Sequence, residues 1–245
     1  MSEAAPFVGG GAATDHRESA VRTDPPAETL AAQILLRVLE AARILDPLAV
    51  QAELDRAAAA FGLPRCIDEI VMPANRQLSR LMADGERTTA QHLMATEALR
   101  TWLSHRASLA PAPLPTGPIV LACGPRDRET IGLESLALLL RFRRVPCRVL
   151  GARVTPFTLT IAAQAADATG VVIVAADLRR LPQAVVSLRA ANALDIPVFF
   201  AGPAFASEKS RFGLPGHYLG IRLDPACTIV VDMVLMGLQH PTGPG

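Results

Sequence analysis

The sequence predicts an α/β protein in which an N-terminal four-helix bundle is followed by a doubly wound parallel sheet. Three observations predict it. Between about residues 27 and 106, apolar residues recur every three or four positions, the period of an amphipathic helix. From residue 118 onward, short β-branched runs that are apolar on both sides alternate with helical segments, as buried parallel strands and their crossover helices require. A Pro/Ala-rich stretch divides the two regions, stiff enough to act as a spacer. Half of the 245 residues are hydrophobic and only 4% are aromatic, a balance that favours helix-rich architectures with a sizeable core.

Taken in order, residues 1–26 are rich in Gly, Ala, Pro and charge without periodicity, and are expected to form a disordered tail. "AETLAAQILLRVLEAARIL" then places Leu30, Ile34, Val38 and Ala41 on one stripe. "DPLAVQAELDRAAAAFG" opens with Asp46 as an N-cap and Pro47 at the first helical position, and it closes at Gly62. "PRCIDEIVMPANRQLSRLMADG" repeats the pattern with Gly85 as its stop, and "TTAQHLMATEALRTWLSHR" is a fourth helix capped by Thr88 or Thr89. Short connections make these four a bundle over residues 27–106. The linker is residues 107–117, and the second domain is 118–245. Its strands are "PIVLAC", "PCRVLGA", "GVVIVAA" and "IPVFFAG", with "HYLGIRLD" as a last one. Its helices are "ETIGLESLALLLRFRR", "TPFTLTIAAQAADAT", "RLPQAVVSLRAANAL" and "PACTIVVDMVLMGLQ".

Charge and cysteines exclude several classes. A formal charge of +1 provides no overall basic field for nucleic acid and no polybasic membrane patch. No apolar run reaches the roughly 18–20 residues of a membrane span, and the N-terminus lacks a signal peptide's regions. Cys66, Cys123, Cys147 and Cys227 are widely spaced with no C-x-x-C pair, so reduced thiols in a cytoplasmic protein are expected.

The segment "GPRDRETIG", Gly124 to Gly132, follows the first strand, at the carboxyl edge where ligands of such sheets bind. It carries Asp127, Glu129 and Gly132. With histidine in place of Glu129 it would be the D-x-H-x-x-G loop of cobalamin-binding proteins. "IVMPANRQLSRLMADGERTTAQHLMATEALRTWL" resembles the helical cap of MerR-type cobalamin photoreceptor regulators, and "VLACGPRDRETIGLESLALLLR" fits the family's ligand loop and its helix. "PVFFAGPAFAS" is similar to the segment beside the cofactor's nucleotide tail, with Gly202 matching the glycine pattern. The chain from about Ala27 to Gln239 therefore resembles the cap plus Rossmann-like module of this family, without the regulators' DNA-binding domain.

The departures direct the functional expectation. In the family the loop histidine binds cobalt from below and the aspartate orients its ring. Glu129 offers a hard oxygen to a metal suited to nitrogen. Aligned without a gap, Met82 falls on the cap's tryptophan, His92 on its glutamate and Leu93 on its histidine. A one-residue gap would make His92 the histidine and Gln91 the glutamate but lose the match at Gly85. The family's serine after the fourth-strand region is replaced by "VAAD", with Ala175 or Ala176 in its place.

These losses imply a changed cargo. The expectation is a non-enzymatic sensory protein holding a tetrapyrrole chromophore, bilin or haem rather than His-ligated cobalamin, between cap and sheet. It would signal light or redox state to a protein partner such as a transcription regulator, as a homo-oligomer, without direct nucleic-acid or membrane binding. Its cofactor-binding residues would be Met82, His92, Leu93, Cys123, Asp127, Glu129, Gly132, Thr155, Ala175 and Gly202, with no catalytic set and no metal cluster. Arg126, Arg128 and Arg153 would pair with propionates. The alternatives are a cobalamin photoreceptor or corrinoid methyl-transfer protein with atypical ligation, and a ligand-free scaffold. Each residue also has a plainer role. Glu129 can favour the following helix electrostatically by ~0.3–1 kcal/mol, Met82 can fill core space, His92 can sit between helices, and Cys123 can be a buried strand end.

Overall fold

The computed structural model describes residues 27–239, so the tail expected before residue 27 lies outside the described residues. The helical half comprises α1 (Ala27–Arg43), α2 (Pro47–Phe61), α3 (Leu63–Cys66), a π turn (Ile67–Val71), α4 (Met72–Ala83) and α5 (Thr89–Ser108). The expected caps are present. Asp46 Oδ1 accepts from Ala49 N at 2.9 Å. Thr88 and Gln91 form a capping box, with Thr88 N donating to Gln91 Oε1 at 2.9 Å and Gln91 N to Thr88 Oγ1 at 3.2 Å. Gln91 Nε2 also donates to Arg43 O at 2.6 Å, tying the end of α1 to the start of α5. Trp102 is buried on α5, as expected beside Leu99, and its Nε1 donates to Asp55 Oδ1 of α2 at 2.7 Å. The third expected helix is a rod of three pieces, α3, the π turn and α4, joined without a break.

The linker is shorter and better anchored than its composition suggests. Helix α5 continues to Ser108, inside the expected boundary. Beyond it, Leu114 N donates to Arg144 O at 2.8 Å and Arg144 Nε to Ala112 O at 3.0 Å, so the segment is fastened to the sheet domain.

The sheet has β1 (Ile119–Cys123), β2 (Cys147–Gly151), β3 (Gly170–Val174), β4 (Val198–Ala201) and β5 (His217–Tyr218), all parallel, in the order β2-β1-β3-β4-β5. Helices α6 (Ile131–Phe142) and α10 (Leu223–Gln239) cover one face, and α7 (Pro156–Ala165) and α8 (Leu181–Asn192) cover the other. The four-residue α9 (Glu208–Arg211) lies between β4 and β5. The last strand is cut to two residues. Leu219 N still donates to Phe200 O, but Gly220 at φ +85° turns the chain towards α10.

Alternation along the strands sorts the core into two. Ile119, Leu121 and Cys123 join the α6–α10 face, while Val120 and Ala122 join the α7–α8 face. The first core runs without interruption into the helical bundle. Arg100 of α5 donates to Glu134 Oε1 of α6 and to Thr130 Oγ1, each at 3.2 Å. Asp68 of the π turn caps α10, accepting from Leu223 N at 2.7 Å and Asp224 N at 3.2 Å. Strand order reverses direction between β1 and β3, so their carboxyl ends open the crevice in which doubly wound sheets bind ligands.

Candidate functional site

Asp127 organises this crevice. It is 1% exposed, and its carboxylate is satisfied entirely by main chain: Oδ1 accepts from Glu129 N at 3.0 Å and Oδ2 from Ala176 N at 2.7 Å. Its carbonyl oxygen accepts from Arg153 N at 2.9 Å. One buried residue thus joins the loops after β1, β2 and β3. The flanking Arg126 and Arg128 form no ion pair among the described residues.

The other loop residues are placed as follows. The Glu129 side chain is exposed, two residues before α6 begins at Ile131, the position of its plainer electrostatic role. A β-carbon on Gly132 would meet Met72 Cε at 3.3 Å, so the first turn of α6 lies against the start of α4. Thr155 caps α7, its Oγ1 accepting from Thr158 N at 3.1 Å. Ala175 is buried, with its N donating to Ala201 O and its O accepting from Ala204 N. Gly202 adopts φ +108° directly against Ala175. Cys123, Asp127, Glu129, Thr155, Ala175 and Gly202 therefore share the carboxyl edge.

Met82, His92 and Leu93 do not join them. Met82 and Leu93 are exposed at the α4–α5 end of the bundle. His92 is half-buried, with Nδ1 buried and without a hydrogen-bond partner. It precedes Arg100, the residue touching α6, by eight positions, roughly 12 Å along the helix.

A cavity of about 530 Å³ opens at the same edge, lined by Pro125, Arg126, Arg128, Arg153, Asp177, Arg179 and Arg180. No residue of the helical half lines it. Arg179 binds Asp177, with Nη2 to Oδ2 at 2.7 Å, and holds that carboxyl below the usual range. Asp177, Arg179 and Arg180 were missed as site residues. The signal was the pair of arginines in "DLRR", directly after the carboxyl end of the third strand.

Cys123 donates its Sγ proton to Glu129 O at 3.3 Å, and burial, with Asp127 next in effect, pushes its thiol well up. Burial likewise raises Cys66 and Cys147 to about 12 and Cys227 to about 11. A thiol this protonated and enclosed is a poor nucleophile for covalent chromophore attachment. At pH 8, iodoacetamide should alkylate none of the four thiols in the folded protein and all four after denaturation. Each folded value lies above the free value of 9.0. The protonated thiols therefore favour folding, and that contribution is lost as pH climbs from about 9 through 11–12. Rapid native labelling of Cys123 would show that its loop opens freely. Among the described residues no His/Cys/Asp/Glu group could hold a metal ion, and no helix is long and apolar enough to cross a membrane.

Residues 26–106 match the family model described as B12 binding domain. No curated protein matches the chain. Among solved structures, the Methanosarcina barkeri monomethylamine corrinoid protein is 13% identical with a TM-score of 0.65, covering 82% of this chain and 99% of its own. The methanol:cobalamin methyltransferase complex of the same organism is 20% identical with a TM-score of 0.42, covering 93% of this chain and 92% of its own. A cobalamin-binding protein from Desulfitobacterium hafniense DCB-2 is 17% identical with a TM-score of 0.43, covering 84% and 98%. The first of these carries the fold assignment, a helical cap on a Rossmann-like module.

Proposed function

We propose that this chain, whose helical half belongs to the B12 binding domain family, is a corrinoid-binding protein that holds its ligand without a protein imidazole beneath the metal. The match of residues 26–106 carries the reading and favours a corrinoid over the haem or bilin expected from the degenerate motifs. The loop decides the ligation. Glu129 brings no nitrogen, and the Asp127 oxygens are each engaged by a main-chain N–H group rather than by an imidazole. The residues present therefore do not suit His-on binding, and a corrinoid held here would rest on this loop without a histidine ligand from it. On the helical half, the unpartnered His92 Nδ1 is a buried nitrogen a ligand could engage.

When bound, a corrinoid supplies a cobalt centre capable of ligand exchange or methyl transfer. The chain's own contribution is a stiffened sheet edge and a helical cap. A carrier or sensor that works with a partner protein fits this arrangement.

Hydroxocobalamin is expected to bind in one-to-one stoichiometry. In the reduced cobalt(II) form, electron paramagnetic resonance should show the same superhyperfine pattern whether the protein's histidines carry ¹⁴N or ¹⁵N. A pattern that changes from triplet to doublet on ¹⁵N-histidine labelling would overturn the ligation. Failure of hydroxocobalamin to bind, with stoichiometric uptake of haem or biliverdin and a visible band, would instead establish the chromophore-sensor reading.

A further inference from the structure

We propose that the arginine-lined cavity under the loops after β1, β2 and β3 is a binding site for a small polyphosphate anion of about the charge and length of a triphosphate. The cavity borders the loop that carries the corrinoid reading, but neither the helical half nor Ala175 or Gly202 contributes to its wall, so occupancy of the two can be tested separately.

Charge is the first argument. Five arginines and a single aspartate line the cavity, and the aspartate is engaged by Arg179. Arg126, Arg128, Arg153 and Arg180 have no carboxylate partner among the described residues. Guanidinium groups do not deprotonate at any physiological pH, so with Asp177, Asp127 and Glu129 set against the five arginines this corner keeps a net charge of about two in a chain whose total is +1. Planar guanidinium forks match phosphate oxygens with paired hydrogen bonds, which a cluster of lysines would not do.

Position is the second argument. The cavity borders the crevice where the strand order reverses, and the 12-residue helix α8 begins at its wall, immediately after Arg180. A volume of about 530 Å³ accommodates a ligand of nucleotide size.

Preorganisation is the third. Arg126 and Arg128 flank Asp127, which is hydrogen-bonded to the main chain of Arg153 and of Ala176, next to Asp177. One buried residue thus fixes the backbones that carry the cationic groups. Arg153 is itself held at φ +56°, a conformation costly for a non-glycine residue and characteristic of functional loops. The lining includes no aromatic ring and one proline, so the arginines face a phosphate chain better than they hold a base. Recognition falls on the phosphate chain, and inorganic triphosphate and a nucleoside triphosphate should be equivalent.

Isothermal titration of the full chain at 0.15 M salt tests this with inorganic triphosphate, ATP, AMP and a single-stranded oligonucleotide. Triphosphate and ATP are expected to bind within about threefold of each other, and AMP at least roughly tenfold more weakly, since it presents fewer charge-assisted contacts. The double variant Arg128→Ala/Arg153→Ala should lose at least about tenfold in triphosphate affinity, with an unchanged thermal melt. Arg189→Ala, exposed near the far end of α8, should leave it unaltered. The assignment is overturned if triphosphate does not bind at this salt, if the double variant binds like the parent, or if the oligonucleotide binds more tightly. Displacement of triphosphate by hydroxocobalamin would also overturn it, by placing both ligands in one site. Retained triphosphate binding with no hydroxocobalamin binding would leave this inference standing and remove the corrinoid reading.

Discussion

Gly202→Ala is expected to lower the unfolding free energy by roughly 3–5 kcal/mol, combining overpacking with backbone strain. The added β-carbon would sit 2.4 Å from Ala175 O and 3.0 Å from Ala175 C, both main-chain atoms. Neither can retreat easily, because Ala175 N donates to Ala201 O while Ala175 O accepts from Ala204 N. The residue is also held at φ +108°, where a side chain is strained whatever the space. Gly213→Ala separates the two causes, since that glycine has φ +68° with nothing within 4 Å. Urea denaturation should show a loss of about 1–2 kcal/mol for Gly213→Ala, the cost of the backbone alone. Equal losses in the two variants would show that the contact with Ala175 relaxes at little cost.

Asp127→Ala is expected to cost about 1–3 kcal/mol, because it strips partners from two part-buried main-chain donors that water can partly satisfy. Those donors are Glu129 N and Ala176 N. Asp127→Asn should cost about half as much, since its amide keeps one acceptor while turning an N–H towards the other donor. Hydrogen exchange supplies the decisive readout: the amides of Glu129 and Ala176 should both lose protection in Asp127→Ala and one of the two in Asp127→Asn, while the β1–β3 ladder keeps it. Unchanged protection at Ala176 in Asp127→Ala would mean that Asp127 does not join the loops after β1 and β3. The result bears on the resemblance to cobalamin-binding loops. The aspartate persists beside Glu129 because its structural work is independent of any imidazole.

Much of the fold was legible because its signals are local or periodic. Asp46, Pro47 and Gly62 delimit α2 by capping chemistry alone. The apolar runs before Gly124, Ala175 and Gly202 read directly as buried parallel strands. The misses arise where long-range contacts decide. The π turn at Ile67–Val71 leaves no mark in the helical period, and its Asp68 finds its partners about 155 residues away, at Leu223 and Asp224. "HYLGIRLD" has a strand's composition, but Gly220 ends the pairing. The arginine cavity gathers side chains from three loops; the sequence grouped Arg126, Arg128 and Arg153 as anion partners, but nothing in it shows that Arg179 and Arg180 stand beside them. Cys123, Asp127, Glu129, Thr155, Ala175 and Gly202 follow strand ends in the sequence and lie together at the carboxyl edge. Met82, His92 and Leu93 were singled out by alignment to the cap and lie at the far end of the bundle.

The interior shared by the bundle, α6 and α10 has a consequence for how anything reaches the sheet edge. The lobes lack a hinge. Met72 rests on Gly132, Arg100 spans to Glu134 and Thr130, and Asp68 caps a helix belonging to the other lobe. Swinging the helical half away would expose apolar surface and break those links together, at a cost comparable to unfolding. A ligand reaching the sheet edge with the lobes kept together would enter laterally, past the loop tips. Substitutions at exposed loop positions such as Glu129 would then alter what binds while the buried seam that joins the lobes goes untouched.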